Sequence, residues 1–263
     1  MIGLILGTSE GKKILALLNK FTEDIFVSTA TEYGGELLKE YRYKILNTKP
    51  LNLEDLVECL KSNDITLLVD ASHPFAIVVT QNAIEACSRL NIEYLRYERP
   101  AVADNCEGEV IKVKNYEELK EKLSMVEGTI LNTTGSRNIE KFIEMKLKNR
   151  IVHRVLPSVK VMEKCFSLGI KTEDIVAIKG PISYELNLSF LKEYDAKAIV
   201  LKDSGLQGGT YEKLKAAADS KIKAFVIERD EVVYNKVFYK EEELVRYIEE
   251  KLNLKFNDKS KRC

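Results

Sequence analysis

The feature that most constrains how this chain can fold is an alternation. Short apolar runs rich in branched residues recur, each followed by a polar turn and then an amphipathic stretch. Ile2–Leu6 is the first run, and Gly7-Thr8-Ser9 leads from it towards a helix carrying Ile14, Leu17 and Leu18. Ile25–Ser28 is the second. Leu53, Leu56, Val57 and Leu60 fall at i, i+3, i+4 and i+7, which predicts a helix that Asn52 is placed to cap. Thr66–Val69 reads as a strand, and Phe75, Val79, Ala83, Ala86 and Leu90 then predict a helix with Pro74 at its first position. Glu93–Tyr97 reads as another strand. Strands that are apolar throughout and separated by helices imply a parallel sheet covered on both faces.

Residues 100 to 109 lack periodicity and carry few large apolar side chains, so they read as a linker. Beyond them the alternation restarts with Val110–Val113, Thr129–Leu131, Arg150–Val155, Asp174–Ile178, Ala198–Leu201 and Ala224–Ile227, and a last helix shows Leu244, Val245, Ile248 and Leu252. The expectation is an α/β protein of two units of similar kind, with mostly parallel sheets and a cleft between them. Residues 1–100 are expected to form the N-terminal domain and residues 101–252 the C-terminal domain, with the polar, basic residues 253–263 as a flexible tail.

Composition sets outer limits on function. With 263 residues, 45% of them apolar, a chain can bury roughly three quarters of its unfolded surface and needs neither disulfides nor a metal to fold. The 41 basic and 41 acidic side chains cancel, which argues against nucleic acid as the main partner, since phosphate-backbone binding needs a surplus of Lys and Arg. Cys59, Cys87, Cys106, Cys165 and Cys263 show no CxxC spacing and read as free thiols in a reducing compartment. The first apolar run has its lysines after it, unlike a signal peptide, and no 18-residue apolar stretch occurs. A cytoplasmic location with no membrane partner is expected.

The chemistry should sit where strands end. The junctions Gly7-Thr8-Ser9, Asp70-Ala71-Ser72-His73-Pro74, Thr133-Thr134-Gly135-Ser136-Arg137, Leu156-Pro157-Ser158, Lys179-Gly180-Pro181-Ile182-Ser183 and Lys202-Asp203-Ser204-Gly205 each run from strand to helix. In a parallel sheet such ends share one edge, where ligands of open α/β proteins bind. Helix starts there offer unpaired N–H groups to phosphate or carboxylate. Capping alone would explain any one junction, but it requires neither the Lys202-Asp203 pair nor Gly180-Pro181. The first junction departs from GxGxxG, though Gly7 permits a tight turn and Thr8 and Ser9 donate hydroxyls towards a pyrophosphate. After the second strand stand Thr29, Ala30 and Thr31, with Glu32 following, so neither the acid that favours NAD nor the arginine that favours NADP occupies the strand end.

His153 alternates as a strand residue and reads as structural. His73, at a strand end before a proline, reads as a functional candidate whose imidazole a helix start would keep neutral. Two lone histidines and no paired cysteines leave no protein-held catalytic metal. For Leu95-Arg96-Tyr97-Glu98-Arg99-Pro100 two readings stand side by side. It is an edge strand with a solvated ion pair, or Arg96 or Arg99 faces the cleft and holds a carboxylate.

The segments Asp70-Ala71-Ser72-His73-Pro74-Phe75-Ala76 and Leu95–Pro100 resemble the precorrin-6A reductase family of corrin biosynthesis. Gly7-Thr8-Ser9-Glu10, Thr134-Gly135-Ser136-Arg137, Lys179-Gly180-Pro181, Lys202-Asp203-Ser204-Gly205 and Gly209-Thr210 add to the likeness in the family's order. The resemblance implies two Rossmann-like domains and a nicotinamide cofactor, NADPH or alternatively NADH. It also implies reduction of one ring double bond of precorrin-6A, or of its cobalt complex, to the 6B form. At the second strand end Thr29-Ala30-Thr31 replaces an Ala-Gly-Arg-like turn. Cofactor-binding residues are then expected among Gly7, Thr8, Ser9, Thr29, Thr31, Ser72, His73, Pro74, Gly135, Ser136, Arg137, Gly180, Lys202, Asp203, Ser204 and Gly205. Arg96, Arg99, Arg154, Lys179 and Thr210 are expected at the macrocycle. For the proton that accompanies the hydride the candidates are His73, Asp203 and Lys202, with bulk water as a further source. The competing readings are a tetrapyrrole metal chelatase and a non-catalytic NAD(P)-sensing module. The oligomeric state is left open, with a monomer compatible.

Overall fold

The computed structural model describes residues 1–7 and 11–260, with side chains described as far as Asn253 apart from that of Asn105. The chain divides into two units, Met1–Arg99 together with the segment from Glu231 onward, and Pro100–Asp230.

In the first unit β1 (Ile2–Leu6), α1 (Gly11–Leu18), β2 (Ile25–Ser28), α2 (Glu32–Glu36), β3 (Ile45–Asn47), α3 (Leu53–Ser62), β4 (Leu67–Ala71), α4 (Ile77–Leu90) and β5 (Glu93–Tyr97) follow one another. The second unit runs β6 (Val110–Val113), α5 (Tyr116–Leu123), β7 (Thr129–Asn132), α6 (Ile139–Glu144), β8 (Ile151–Val155), α7 (Val159–Ser167), β9 (Ile175–Ala177), α8 (Tyr184–Glu193), β10 (Ala196–Lys202), α9 (Thr210–Asp219) and β11 (Lys223–Ile227). The chain then adds β12 (Val237–Phe238) and α10 (Glu241–Ser260) to the first unit.

The first sheet has the order β12-β5-β4-β1-β2-β3, with its strands paired in parallel. Period-two alternation divides its core. Ile2, Leu4 and Leu6 pack with Ile14, Leu15 and Leu18 of α1, while Ile5 and Phe26 face Leu56 and Leu60 of α3 and Ala83 and Ala86 of α4. A Cβ on Gly11 would lie 3.0 Å from Leu6 Cδ1, so a residue without a side chain lets α1 settle directly on β1. Asn52 caps α3 as expected, its Oδ1 accepting from Asp55 N at 2.9 Å.

The second sheet has the order β6-β11-β10-β7-β8-β9, again in parallel. Val152, Ile199, Leu201 and Leu214 build one of its faces under α8 and α9, and Ile139, Val155 and Cys165 lie on the other with α6 and α7. In the first unit the chain starts in the middle at β1, winds outward to β3, returns past its start and winds the other way through β4 and β5. In the second it enters at the edge strand β6, crosses to β7 in the middle, winds outward to β9 and then returns through β10 and β11 to meet β6. This is the doubly wound arrangement. Its strand order reverses between β1 and β4 in one sheet and between β7 and β10 in the other.

Three expectations need correction. Residues 231–252 do not belong with the second unit. Val237 and Phe238 pair with Arg96 and Tyr97 at the open edge of the first sheet, and Leu244, Val245 and Ile248 bury themselves in its core beside α1. Each such side chain is worth about 1.5–3 kcal/mol when taken from water, which suffices to recruit the segment. Residues 253–260, expected as flexible tail, continue α10, and 261–263 lie outside the described residues. Pro74 is not the first residue of α4, whose N-cap is Ala76. Ala76 N donates to His73 O at 2.7 Å, closing a turn in which Pro74 takes the second position, one that suits its fixed φ.

Candidate active site

The reversal points of the two sheets are where a doubly wound fold opens a crevice at the carboxyl ends of its strands. In the first unit this places Gly7 beside the end of β4, and Gly7 N donates to Ala71 O at 3.0 Å. Thr8 and Ser9, expected at the pyrophosphate, lie outside the described residues.

Beneath the β4 loop lies a fully buried polar cluster. Asp70 Oδ1 accepts from Ser72 N at 2.9 Å and pairs with Arg96 Nη1 at 3.0 Å, while Oδ2 accepts from Thr80 Oγ1 at 2.7 Å and from the Tyr94 hydroxyl at 2.9 Å. Arg96 Nε donates to Glu98 Oε2 at 2.7 Å, and Nη2 donates to Ser72 O at 3.2 Å. Burial works against the guanidinium charge, but Asp70 and Glu98 outweigh it and hold the Arg96 pKa above its ordinary value. Burial, reinforced by Asp70, likewise raises that of the Tyr94 phenol.

These contacts correct two expectations. Arg96, 1% exposed, spends its donors inside the protein and does not face a substrate carboxylate. Ser72 turns its hydroxyl to Arg96 Nη1 at 3.2 Å, so what it offers outward is its place in the loop. That loop presents His73, half-buried, whose Nδ1 accepts from Phe75 N at 3.2 Å. A lone pair on Nδ1 leaves the neutral ring's proton on Nε2. Pro74 is buried, and Arg99 is 4% exposed at the end of the strand segment.

At the end of β2 the structure corrects a further expectation. Thr29 is buried and donates its hydroxyl to Thr31 O at 3.0 Å, so it is not directed to a ribose. Thr31 is exposed and caps α2, its Oγ1 accepting from Gly34 N at 3.1 Å.

In the second unit the strand order reverses between the ends of β7 and β10. Thr133 N and Oγ1 both bond to Val200 O, at 2.8 and 2.9 Å. Asn132 Oδ1 accepts from Thr134 N at 2.9 Å, and its amide meets His153 Nδ1 at 3.0 Å. His153 is 2% exposed, stands edge-on to Phe142, and has a pKa pushed down to about 4 by burial. It is structural, as its strand position suggested. Gly135 and Ser136 are partly exposed and Arg137 is exposed, on a short turn (Ser136–Asn138) that precedes α6.

Lys202, at the end of β10, is half-buried. Its pKa is pushed down to about 8, first by burial and then by Lys141 and Arg137, with Asp230 acting in the opposite sense. Lys141 was missed in the sequence. It lies one helical turn beyond Arg137, and that i, i+4 spacing of cations after a strand end was the available signal.

Asp203 departs from its expected role. Its Oδ2 accepts from Val102 N at 2.9 Å and Ala103 N at 3.0 Å, and its Oδ1 from Gly205 N at 3.1 Å. Both oxygens accept backbone N–H groups, and Arg229 Nη2 lies 3.8 Å from Oδ1, so Asp203 acts as a clasp holding the 100–106 segment to the β10 loop. Thr210 is fully buried with its Oγ1 accepting from Ser204 N at 3.0 Å, which removes it from the macrocycle. Gly205 is buried, whereas Lys179 and Gly180 are exposed and Ser204 is partly exposed. Arg154 is half-buried, with Nη1 donating to Asn187 Oδ1 at 2.7 Å. Among the described residues no group of three or more His, Cys, Asp or Glu side chains is placed to hold a metal, and no helix is long and apolar enough to cross a membrane.

The model of the family described as precorrin-6x reductase CbiJ/CobK matches residues 1–249. The chain belongs to this family. Among curated relatives, a cobalt-precorrin-6A reductase of Methanocaldococcus jannaschii is 37% identical over 238 residues, covering 90% of this chain and 92% of that protein. A cobalt-precorrin-6A reductase of Priestia megaterium is 33% identical over 248 residues, covering 93% and 96%. A solved structure titled CobK precorrin-6A reductase superposes with a TM-score of 0.76 at 16% identity, over 95% of this chain and 96% of that one. That likeness establishes the fold of two doubly wound units. Membership of this reductase family implies a nicotinamide cofactor.

Proposed function

We propose that this chain reduces one double bond of precorrin-6A, or of its cobalt complex, with a hydride from NADPH. The observation that carries the reading is that four of the family's motifs fall at the strand-order reversals of the two sheets. Gly7 and the 70–74 loop stand at one, and residues 133–137 and 202–205 at the other. When bound, the reduced nicotinamide supplies the hydride, and the protein's task is to hold both reactants and exclude water.

The residues present fit such a cofactor. Gly7 and the helix start that follows β1 suit a pyrophosphate. His73 and Pro74, on the loop fixed by Asp70 and Arg96, together with Gly135, Ser136, Arg137, Gly180, Lys202, Ser204 and Gly205, complete the contacts we assign to it. Thr31 at the end of β2 is compatible with a ribose phosphate. Because Glu32 follows it directly, NADH is the alternative donor. Arg99, Lys179 and Arg154 are assigned to the carboxylates of the macrocycle. Lys202, protonated near neutrality and able to release its proton there, is the residue we favour at the developing charge, with His73 Nε2–H as the second donor.

A chelatase would require residues to hand over a metal, and a sensing module would leave the cations of the second unit without a task. The test is oxidation of NADPH, then of NADH, followed at 340 nm with precorrin-6A and with cobalt-precorrin-6A. Turnover with either macrocycle supports the reading, and the faster cofactor identifies the donor. No oxidation in any combination removes it.

A further inference from the structure

Two cations in the second unit lie close together under α8 and α9. Arg154, next to last in β8, falls by alternation on the face that Val152 shares with those helices, and Lys213 stands in the first turn of α9, 6% exposed. Lys213 Nζ donates to Gly208 O at 3.2 Å, and Arg154 Nη1 donates to Asn187 Oδ1 at 2.7 Å. Asn187 is itself 1% exposed, and its amide donates to Ser183 O at 2.8 Å. The guanidinium is therefore held by a side chain that is itself held. Among the described residues no carboxylate comes within 4.0 Å of either cation. The loops that flank them meet closely, since a Cβ on Gly209 would lie 3.1 Å from Pro181 Cβ.

Two desolvated cationic side chains with no carboxylate in direct contact are costly, and an anion entering between them would offset that cost. Burial pushes the Arg154 pKa down to about 10. It pushes that of Lys213 down to about 7, with Arg154 adding to the effect. The charged groups facing Lys213 are Arg154 from β8, Glu212 from its own helix and Asp203 from the β10 loop. Asp203 is committed to three backbone N–H groups. Glu212 Oε2 is buried without a hydrogen-bond partner and lies on the Gly209 side, 3.7 Å from where a Cβ there would be.

We propose that Arg154 and Lys213 together form an oxyanion subsite that takes one carboxylate arm of the macrocycle, with Asn187 positioning the guanidinium. This rests on the reductase reading and deepens it. Arg154 forms the accessible edge of the subsite and Lys213 backs it from beneath. A carboxylate entering there accepts hydrogen bonds from both cations. Because Lys213 titrates close to neutrality, the subsite weakens as pH rises and the ammonium is lost.

The test is spectral titration of cobalt-precorrin-6A into the protein without cofactor, for the wild type and for Arg154→Gln, Lys213→Met and Lys213→Arg, with NADPH affinity measured separately. Wild-type affinity for the macrocycle is expected to fall between pH 6 and pH 8. Arg154→Gln and Lys213→Met should each weaken it roughly tenfold or more at pH 6.5, which is about the loss of one charge-assisted hydrogen bond. Lys213→Arg should keep the affinity and flatten its pH dependence, because a guanidinium does not titrate in this range. It also answers the question should Lys213→Met fail to fold. Unchanged macrocycle affinity in the Arg154 and Lys213→Met variants, or a pH slope that survives Lys213→Arg, overturns the proposal. So does weakening confined to NADPH, which would make the anion a cofactor phosphate. If the wild type binds no macrocycle at all, the reductase reading has failed first.

Discussion

Arg96 Nη1 lies 3.0 Å from Asp70 Oδ1, with the two side chains 1% and 0% exposed. The parallel register of β4 and β5 sets these residues side by side, so the contact is built into the sheet. From it Arg96 reaches Ser72 O, and the loop carrying His73 inherits its position from an ion pair beneath the surface.

Removing one partner of this pair strands the other. Arg96→Ala is expected to cost about 3–5 kcal/mol of stability, the range for leaving a buried charge without its counter-ion, and this would appear as a lower urea midpoint. Were Arg96 a ligand of the macrocycle instead, the variant would keep its midpoint and lose only affinity for the substrate.

Asp203 behaves as a clasp, and its variants should show it. Asparagine keeps one acceptor oxygen but cannot satisfy all of the Val102, Ala103 and Gly205 N–H groups. Asp203→Asn should therefore lose about 1–3 kcal/mol of stability. With both reactants bound, single-turnover oxidation at 340 nm should stay within about tenfold of wild type. Complete loss of that step in a folded, ligand-bound variant would restore Asp203 as a proton donor.

These contrasts show what the sequence could convey. Alternating apolar runs placed most strands and helices, because burial on two faces leaves a pattern in each segment by itself. Asn52 was readable as a cap for the same reason, since its partner Asp55 is three residues away. The role of Arg96 was not readable, because it depends on a register with Asp70, twenty-six positions earlier in the chain. β12, only two residues long, is too short to carry a period, so its return to the first sheet was invisible. Nothing local marks Lys213, a helix lysine that is nonetheless 6% exposed. Local chemistry was legible, and long-range pairing was not.

His153 makes stability depend on pH. Its pKa is about 4 in the folded protein and about 6.5 in an unfolded chain, so between these values the unfolded state binds more protons. Stability is then complete above about pH 6.5 and is lost as pH falls towards 4, by about 3 kcal/mol from this group. His153→Gln should flatten that part of the profile, measured as urea midpoints from pH 7 to pH 4. An unaltered slope would mean that His153 charges within the folded core.

Lys202 should couple activity and stability to pH in opposite directions. With its pKa held at about 8, the ammonium near Arg137 and Lys141 is lost above that pH, and kcat/KM for the macrocycle should fall there. Between about 8 and the 10.5 of an unfolded lysine, the unfolded state binds the extra proton, so this group makes the fold more stable as pH rises. A loss of activity above pH 8 therefore cannot be ascribed to unfolding at this residue. Lys202→Met should lower kcat/KM by roughly tenfold to a hundredfold near neutrality, the scale of one charge-assisted contact in a shielded site. It should also remove the alkaline decline. A variant that kept the decline would show that another group sets it and that Lys202 acts only by its bulk.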